Sequence, residues 1–345
     1  MRTLIRWLLA LLTLGLFATS VVAQSAPTRI RFNLDWRFEG PSAPFLLSEA
    51  KGYFREEGLQ VQIDAGSGSS GTLGRVATGA YDMGMTDVNA MIEFLAQNRG
   101  QASAQLQAVF MIYDAGPAAV FALKKSGITK PADLAGRTLG APVFDAGRKA
   151  FPVFAAANGI DPAKVKWTTM EPALREQMLL RGDVEAITGF YFTSLLNLIA
   201  RGVKEEDIVA MRFRDHGVQL YGSAIVAHPR LVQENPQAIR GFLRAFTRGL
   251  RDTIADPDAA VQFVRQRDPL IDVALEQRRL KLAIESAIAT PNTRANGVGA
   301  VNKLRLEETV AQVVKAFGLK EGPQVDGMFN SSFLPSRTER MVFAR

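Results

Sequence analysis

Between Arg29 and Phe213 strand-like and helix-like segments alternate in two successive series, and beyond His228 only helical patterns remain. The first series reads strand 29–36, helix 42–57, strand 59–65, short helix 72–78, strand 81–86, helix 88–97 and strand 106–113. A strand at 118–124 is set off from it by DAGP. The second series reads strand 137–142, helix 147–158, strand 165–170, helix 173–181, strand 184–190, helix 193–201 and strand 208–213. After strand 223–228 come helices at 229–255, 257–267, 272–287 and 302–317. A period of two marks the strands and a period near 3.6 the helices. Strands that alternate with helices build parallel sheets covered by helices. Two such series predict two parallel-sheet α/β lobes, and 345 residues exceed what one core usually serves. DAGPA (114–118) and LYGSA (220–224) stand where the series change, so two chain crossings are expected there. That division gives lobe 1 as 28–115 plus 224–345 and lobe 2 as 116–223.

The first residues carry Arg2 and Arg6, an apolar run from Trp7 to Phe17, and small residues with Val21 and Ala23 at the −3 and −1 positions of a cleavage site. This predicts a signal peptide over residues 1–23, cleaved near Ala23. The apolar run is short for a span of about 20 residues. The chain has no cysteine, which excludes lipid attachment at a cysteine, disulfides and thiolate metal sites. Export with these properties fits the periplasm, where little free ATP or NAD is met.

The precursor's net charge is +7, but arginine and lysine are scattered and no basic run interleaves with aromatics. Nucleic acid is therefore not an expected partner. Catalytic constellations are missing too: there is no H-E-x-x-H, no G-x-S-x-G elbow and no paired metal spacing. The histidines are His216 and His228. His228 reads as a surface turn residue beside Pro229, and His216 as a loop residue near the second crossing with an option on ligand contact. No cofactor, metal or catalytic residue is expected.

DAGSGSSGTLGR, Asp64 to Arg75, contains G-x-G-x-x-G at Gly66, Gly68 and Gly71. A phosphate loop needs lysine after its last glycine, and Thr72 and Leu73 follow instead. A dinucleotide loop follows the first strand of its fold and precedes a long helix, with an acid about 20 residues on. Here a strand and a helix come first, the next helix is barely two turns long, and Asp87 stands too near. Two readings remain. The loop is a tight strand–helix turn, or a cradle in which backbone N–H groups and serine hydroxyls meet a polar ligand group. Aromatics pose a similar choice between core and ligand shelf. Trp36 and Phe38 follow the first strand, and Phe190, Tyr191 and Phe192 follow a strand of the second series, at the carboxyl ends where open α/β sheets bind ligands.

LDW, AKGYFREEGLQVQI, GSGSSGTLGRVATGAYDMGMTD, ADLAGRTLGAP and GFLRAFTRGLRDT together resemble the periplasmic solute-binding proteins of ABC importers. The similarity spans about 28 to 335 and lies nearest the NMT1/thiamine-pyrimidine-like group, beside the sulfonate, taurine and nitrate binders. It implies an α/β, two-lobed periplasmic binding protein fold of type II-like topology with two crossings. It also implies a small-molecule ligand, a cognate ABC permease in the inner membrane, and a monomer. By position, the ligand contacts it implies are Asp35, Trp36, Glu39, Ser69, Ser70, Gly71, Thr86, Asp87, Asp145, Arg148 and Tyr191. The ligand expected is a small aromatic or heterocyclic, thiamine-pyrimidine-like molecule. Alternatives are an alkyl or aryl sulfonate, taurine or nitrate-type anion, and an exported pyrimidine-forming enzyme. The resemblance departs in two places: no histidine stands in WRFEGP, and the cysteine-rich motif of the pyrimidine synthases is missing.

Overall fold

The alternation in LQVQID is realised as a strand, Leu59–Asp64, with Leu59, Val61 and Ile63 turned inward and Gln60 and Gln62 exposed. In the computed structural model, which describes residues 26–101 and 105–343, the expected strands all form. The leader expected over 1–23 lies outside the described residues. In chain order the strands are β1 (Thr28–Asn33), β2 (Leu59–Asp64), β3 (Met83–Asp87), β4 (Gln107–Met111), β5 (Ala118–Leu123), β6 (Thr138–Ala141), β7 (Lys166–Thr169), β8 (Ala186–Phe190), β9 (Ile208–Arg212) and β10 (Ser223–Ala227). The longer helices and those near the site are α1 (Ala43–Ala50), α2 (Tyr53–Glu56), α3 (Ser69–Ala77), α4 (Val88–Gln97), α5 (Ala146–Ala157), α6 (Arg175–Arg181), α7 (Tyr191–Ala200), α8 (Pro229–Glu234), α9 (Pro236–Ala255), α10 (Pro257–Arg267), α11 (Val273–Ala283), α12 (Pro291–Asn296) and α13 (Lys303–Ala316).

The strands form two sheets of like design, ordered β2-β1-β3-β10-β4 and β7-β6-β8-β5-β9. Neither is wholly parallel, which corrects the expectation from periodicity. β10 runs antiparallel to β3 and β4, and β5 antiparallel to β8 and β9. The reason is the route of the chain. β5 and β10 enter their sheets directly from the other sheet, not through a helical crossover of the kind that makes neighbours parallel. Both are central and largely buried, as AAVFAL and SAIVA suggest.

Between β4 and β5, and between β9 and β10, the chain passes from sheet to sheet. The two passages lie side by side: Gly116 N–H donates to the Leu220 carbonyl (3.0 Å) and Gly222 N–H to the Tyr113 carbonyl (2.9 Å). The helix expected over 229–255 divides at Asn235, whose side chain caps α9 by accepting from Ala238 N–H, with Pro236 in its first turn. α9 lays Ile239, Phe242, Leu243, Phe246 and Leu250 against the first sheet's helices, at the spacing of one helix face. Phe242 stacks on Phe32 and Phe54, and Phe246 packs on Phe45. The helical tail reaches both sheets. α11 packs on α7 of the second sheet, and α13 packs on α4 and α5, one from each side. Among the described residues no helix is long and apolar enough to cross a membrane.

Candidate functional site

Carboxyl ends of strands from both sheets converge on a narrow cavity, partly open to solvent. The loop after β1 supplies Leu34, Asp35, Trp36, Arg37 and Glu39; the start of α3 supplies Gly68 and Ser69; β3 supplies Met85, and the segment after β4 Tyr113. From the second sheet come Asp145 and Ala146 at the start of α5, Arg175 of α6, and Phe190, Phe192 and Thr193 at the β8–α7 junction. One wall is aromatic. Tyr113, Phe190 and Phe192 meet edge to face, with ring centroids 5.7–6.1 Å apart. The Trp36 indole N–H is buried without a protein partner, which leaves a donor for a ligand or a water.

The polar side of the cavity is acidic. Asp35 is buried and accepts from the hydroxyls of Ser223 (3.0 Å) and Ser69 (3.5 Å). Burial pushes it up to about 7, helped by the nearby Asp87 charge. Asp145 caps α5 through Arg148 N–H (2.8 Å), accepts from Thr188 (3.0 Å), and lies 3.3 Å from Arg175. Its burial raises its pKa against the pull of Arg175. Glu39 accepts from Arg37 (3.2 Å) and Thr193 (3.1 Å) and lies 3.5 Å from Arg279. The cations of the lining are Arg37 and Arg175, and each is already paired with a carboxylate. A neutral ring with N–H groups, or a ligand with a basic nitrogen, finds acceptors here; a compact anion finds no unpaired cation in the lining.

Of the sequence-expected contacts, Asp35, Trp36, Glu39, Ser69 and Asp145 line the cavity. Ser70, Gly71, Thr86, Asp87, Arg148 and Tyr191 lie outside its lining. Thr86 donates to the Ser69 carbonyl (2.9 Å), and Asp87 caps α4 by accepting from Asn89 and Ala90 N–H. Arg148 lies over the Trp167 ring and donates to the Ala141 carbonyl and Thr169. Tyr191 stacks on Phe121 beneath the Arg212 guanidinium, on the far side of the strand–helix junction. His216 packs edge-on against Phe154 and His228 caps α8; neither lines the cavity. Phe38 packs under Arg267 against the first core. Sequence reasoning missed Tyr113 and Arg175. Tyr113 stands just beyond β4, where the strand-end rule applied to every strand would have found it. Arg175 sits in LREQ, which reads as a solvated helix face and gives no signal.

The glycine stretch is a close-packed joint between the sheets. α3 begins at Ser69, so Ser69, Ser70 and Gly71 form its first turn. Gly68 precedes it with φ +141°, and a Cβ there would run into the Phe144 backbone of the second sheet's side. Ser70 N–H donates to the same Phe144 carbonyl (3.4 Å). Gly68→Ala is therefore expected to part the two sides at this point, at a cost of about 1–3 kcal/mol from backbone strain alone. Small-angle scattering of the ligand-free variant should give a larger radius of gyration; an unchanged radius at unchanged stability would show that the joint yields without opening.

The family profile described as NMT1/THI5 like matches residues 41–260. The chain is 28% identical over 304 residues to the riboflavin-binding protein RibY of Chloroflexus aurantiacus, covering 85% of this chain and 82% of that one. It is 25% identical over 257 residues to the 4-amino-5-hydroxymethyl-2-methylpyrimidine phosphate synthase of Legionella pneumophila, covering 74% and 78%. Against the formylaminopyrimidine-binding protein of Halalkalibacterium halodurans the identity is 23% over 304 residues, covering 86% and 89%. Among solved structures, a Bordetella bronchiseptica protein superposes with a TM-score of 0.69 at 21% identity, covering 90% of this chain and 96% of that one. The alkanesulfonate-binding protein SsuA of Xanthomonas axonopodis bound to MOPS gives 0.65 at 15%, covering 87% and 96%. Both structural likenesses bear on the fold alone.

Proposed function

The chain belongs to the NMT1/THI5-like family, and from that premise we infer that it is the extracytoplasmic solute-binding component of an ABC importer, capturing a small heterocycle between its lobes. The observation that carries this reading is the composition of the cavity: an aromatic wall facing carboxylates, with every lining cation already paired. The names of the riboflavin- and formylaminopyrimidine-binding relatives agree with such a ligand. In this reading Asp35, Trp36, Glu39, Ser69 and Asp145 touch the ligand. Ser70, Gly71, Thr86, Asp87, Arg148 and Tyr191 then support the cavity from behind. The lobes are 28–115 plus 224–345 and 116–223, and they close about the paired passages at 114–118 and 220–224. The loaded protein docks on its permease in the inner membrane, after export to the periplasm and removal of the leader near Ala23. An anion such as a sulfonate is the second reading, but it requires a cation that the lining does not leave free. The pyrimidine-synthase reading lacks a histidine in the cavity and a cysteine anywhere in the chain.

Native mass spectrometry of the protein released by osmotic shock, with a thermal-shift screen of riboflavin, aminopyrimidines, alkanesulfonates and nitrate, tests the reading. A heterocycle at 100 times its Kd will stabilise by about 2.7 kcal/mol. A shift with sulfonate or nitrate alone overturns the heterocycle, and multiple turnovers to a modified product overturn the binding role. Trp36→Ala will weaken a planar ligand by about 2–3 kcal/mol, from lost buried area and stacking, or roughly 30- to 150-fold in Kd. Calorimetry reads this directly, and wild-type affinity in that variant eliminates Trp36 as a ring contact.

A further inference from the structure

Arg175 opens α6 on the second sheet's side, yet its side chain is 2% exposed. Its Nε and Nη2 donate to Glu176 (3.0 and 2.8 Å), and its Nη1 donates to Asp145 (3.3 Å). Both carboxylates are buried as well. The polar edges of the guanidinium are thus occupied, and a flat face remains. That face lies 5.1 Å from the ring centroid of Trp36, which belongs to the first sheet's side. The strand behind is shaped to allow it. At Gly189 of β8 a Cβ would run into the Ser194 hydroxyl and come within 3.0 Å of the Arg175 guanidinium carbon, so a side chain there would crowd the group. Arg175 is therefore a neutralised plate, aimed across the cleft at the indole and held by carboxylates of its own side.

We propose that Arg175 is a positioning residue for Trp36: its guanidinium face sets the indole plane across the cleft for ring recognition. The ligand half of this inference rests on the reading that Trp36 contacts a heterocycle. The Arg175–Trp36 contact does not, and it is measurable in the empty protein. A cation over an indole is held by the ring's quadrupole, more strongly where the cation is desolvated, as Arg175 is here. Lysine keeps the charge but has neither the planar face nor the fork that fills both carboxylates.

In a Trp167→Phe background of the chain without its leader, Trp36 is the sole tryptophan. Arg175→Met and Arg175→Lys are then compared with the parent by acrylamide quenching and emission wavelength, with circular dichroism reporting the fold. Arg175→Lys guards against loss of folding from two uncompensated carboxylates. The expected result is greater quenching and a red-shifted emission in folded Arg175→Lys, and in Arg175→Met if it folds. Quenching equal to the parent's in folded Arg175→Lys overturns the proposal. A cycle of Trp36→Leu and Arg175→Lys with riboflavin as the probe should show a coupling of about two- to ten-fold in Kd. Additive effects overturn the link to ring recognition. A parent that ignores riboflavin counts against that ligand as cargo and leaves the quenching result to decide the positioning role.

Discussion

Arg279→Ala will destabilise the protein by about 3–5 kcal/mol, the usual cost of stripping one partner from a buried ion pair. Arg279 stands on α11 and is buried. Its Nε donates to Glu276 (2.9 Å) and lies 3.5 Å from Glu39. Nη1 donates to the Thr193 carbonyl (2.9 Å) and Nη2 to Asn197 Oδ1 (2.8 Å), both on α7. Truncation leaves the buried Glu276 carboxylate without a cation, beside a Glu39 that keeps only Arg37. It also leaves a carbonyl and a side-chain amide oxygen without their donor. Because α11 belongs to the helical tail and α7 to the second sheet's side, the damage falls on the junction between them and reaches the cavity through Glu39. Urea denaturation should show a lower midpoint with a similar slope. Adding Glu276→Gln to the Ala variant should recover part of the loss, since the stranded charge goes with it. A loss below about 1 kcal/mol, the range of exposed pairs, would mean that water reaches this cluster.

Local pattern made most elements legible. The helices at 88–97 and 257–267 form with the limits that pattern gave. Strand direction was not legible, because a period of two is the same whichever way a strand runs. The mixed order therefore had to come from the route of the chain. The breadth of the tail was hidden for a related reason. α11 and α13 are amphipathic like any surface helix, and nothing in their spacing says which sheet covers the apolar face.

The site was legible where it depends on strand ends and illegible where it depends on side-chain direction. Phe190, Tyr191 and Phe192 looked equivalent in sequence. The strand ends at Phe190 and α7 starts at Tyr191, so Phe190 and Phe192 reach the cavity while Tyr191 turns to Phe121. Asp87 and Arg148 stand at the right ends of the right elements. Asp87 is taken up in capping α4 and Arg148 in holding Trp167 and the end of β6. Arg175 and Arg279 lie in charge-rich helical stretches; each has one carboxylate close by in sequence, Glu176 and Glu276, and a second, Asp145 or Glu39, that only the fold brings to it.

Raising the pH from 5 to 8 will weaken the ligand-free protein, with Asp35 as the main cause. Burial pushes Asp35 up to about 7 and Asp87 up to about 6. An acid whose pKa is higher in the folded state holds its proton more tightly there. Its contribution is whole below the unfolded value near 4 and is lost as pH climbs through the folded value. For Asp35 the two values lie about three units apart, on the order of 4 kcal/mol in all at about 1.36 kcal/mol per unit, and about two thirds of it falls between pH 5 and 8. Asp82 and Asp252 are lowered by their cationic partners and are ionised in both states above about pH 5, so they do not oppose the trend. His228, lowered by burial, acts in the opposite sense, but its ring is partly exposed and its effect small. A ligand that donates an N–H to Asp35 favours the carboxylate, so its affinity should rise through about pH 7 while the stability of the empty protein falls. Urea titrations of wild type and Asp35→Asn at pH 5 and 8 separate the contributions. The variant should lose most of the pH dependence and be at least as stable as wild type at pH 8. If it keeps the wild-type difference between the two pH values, the proton resides on another group and Asp35 enters the folded protein already charged.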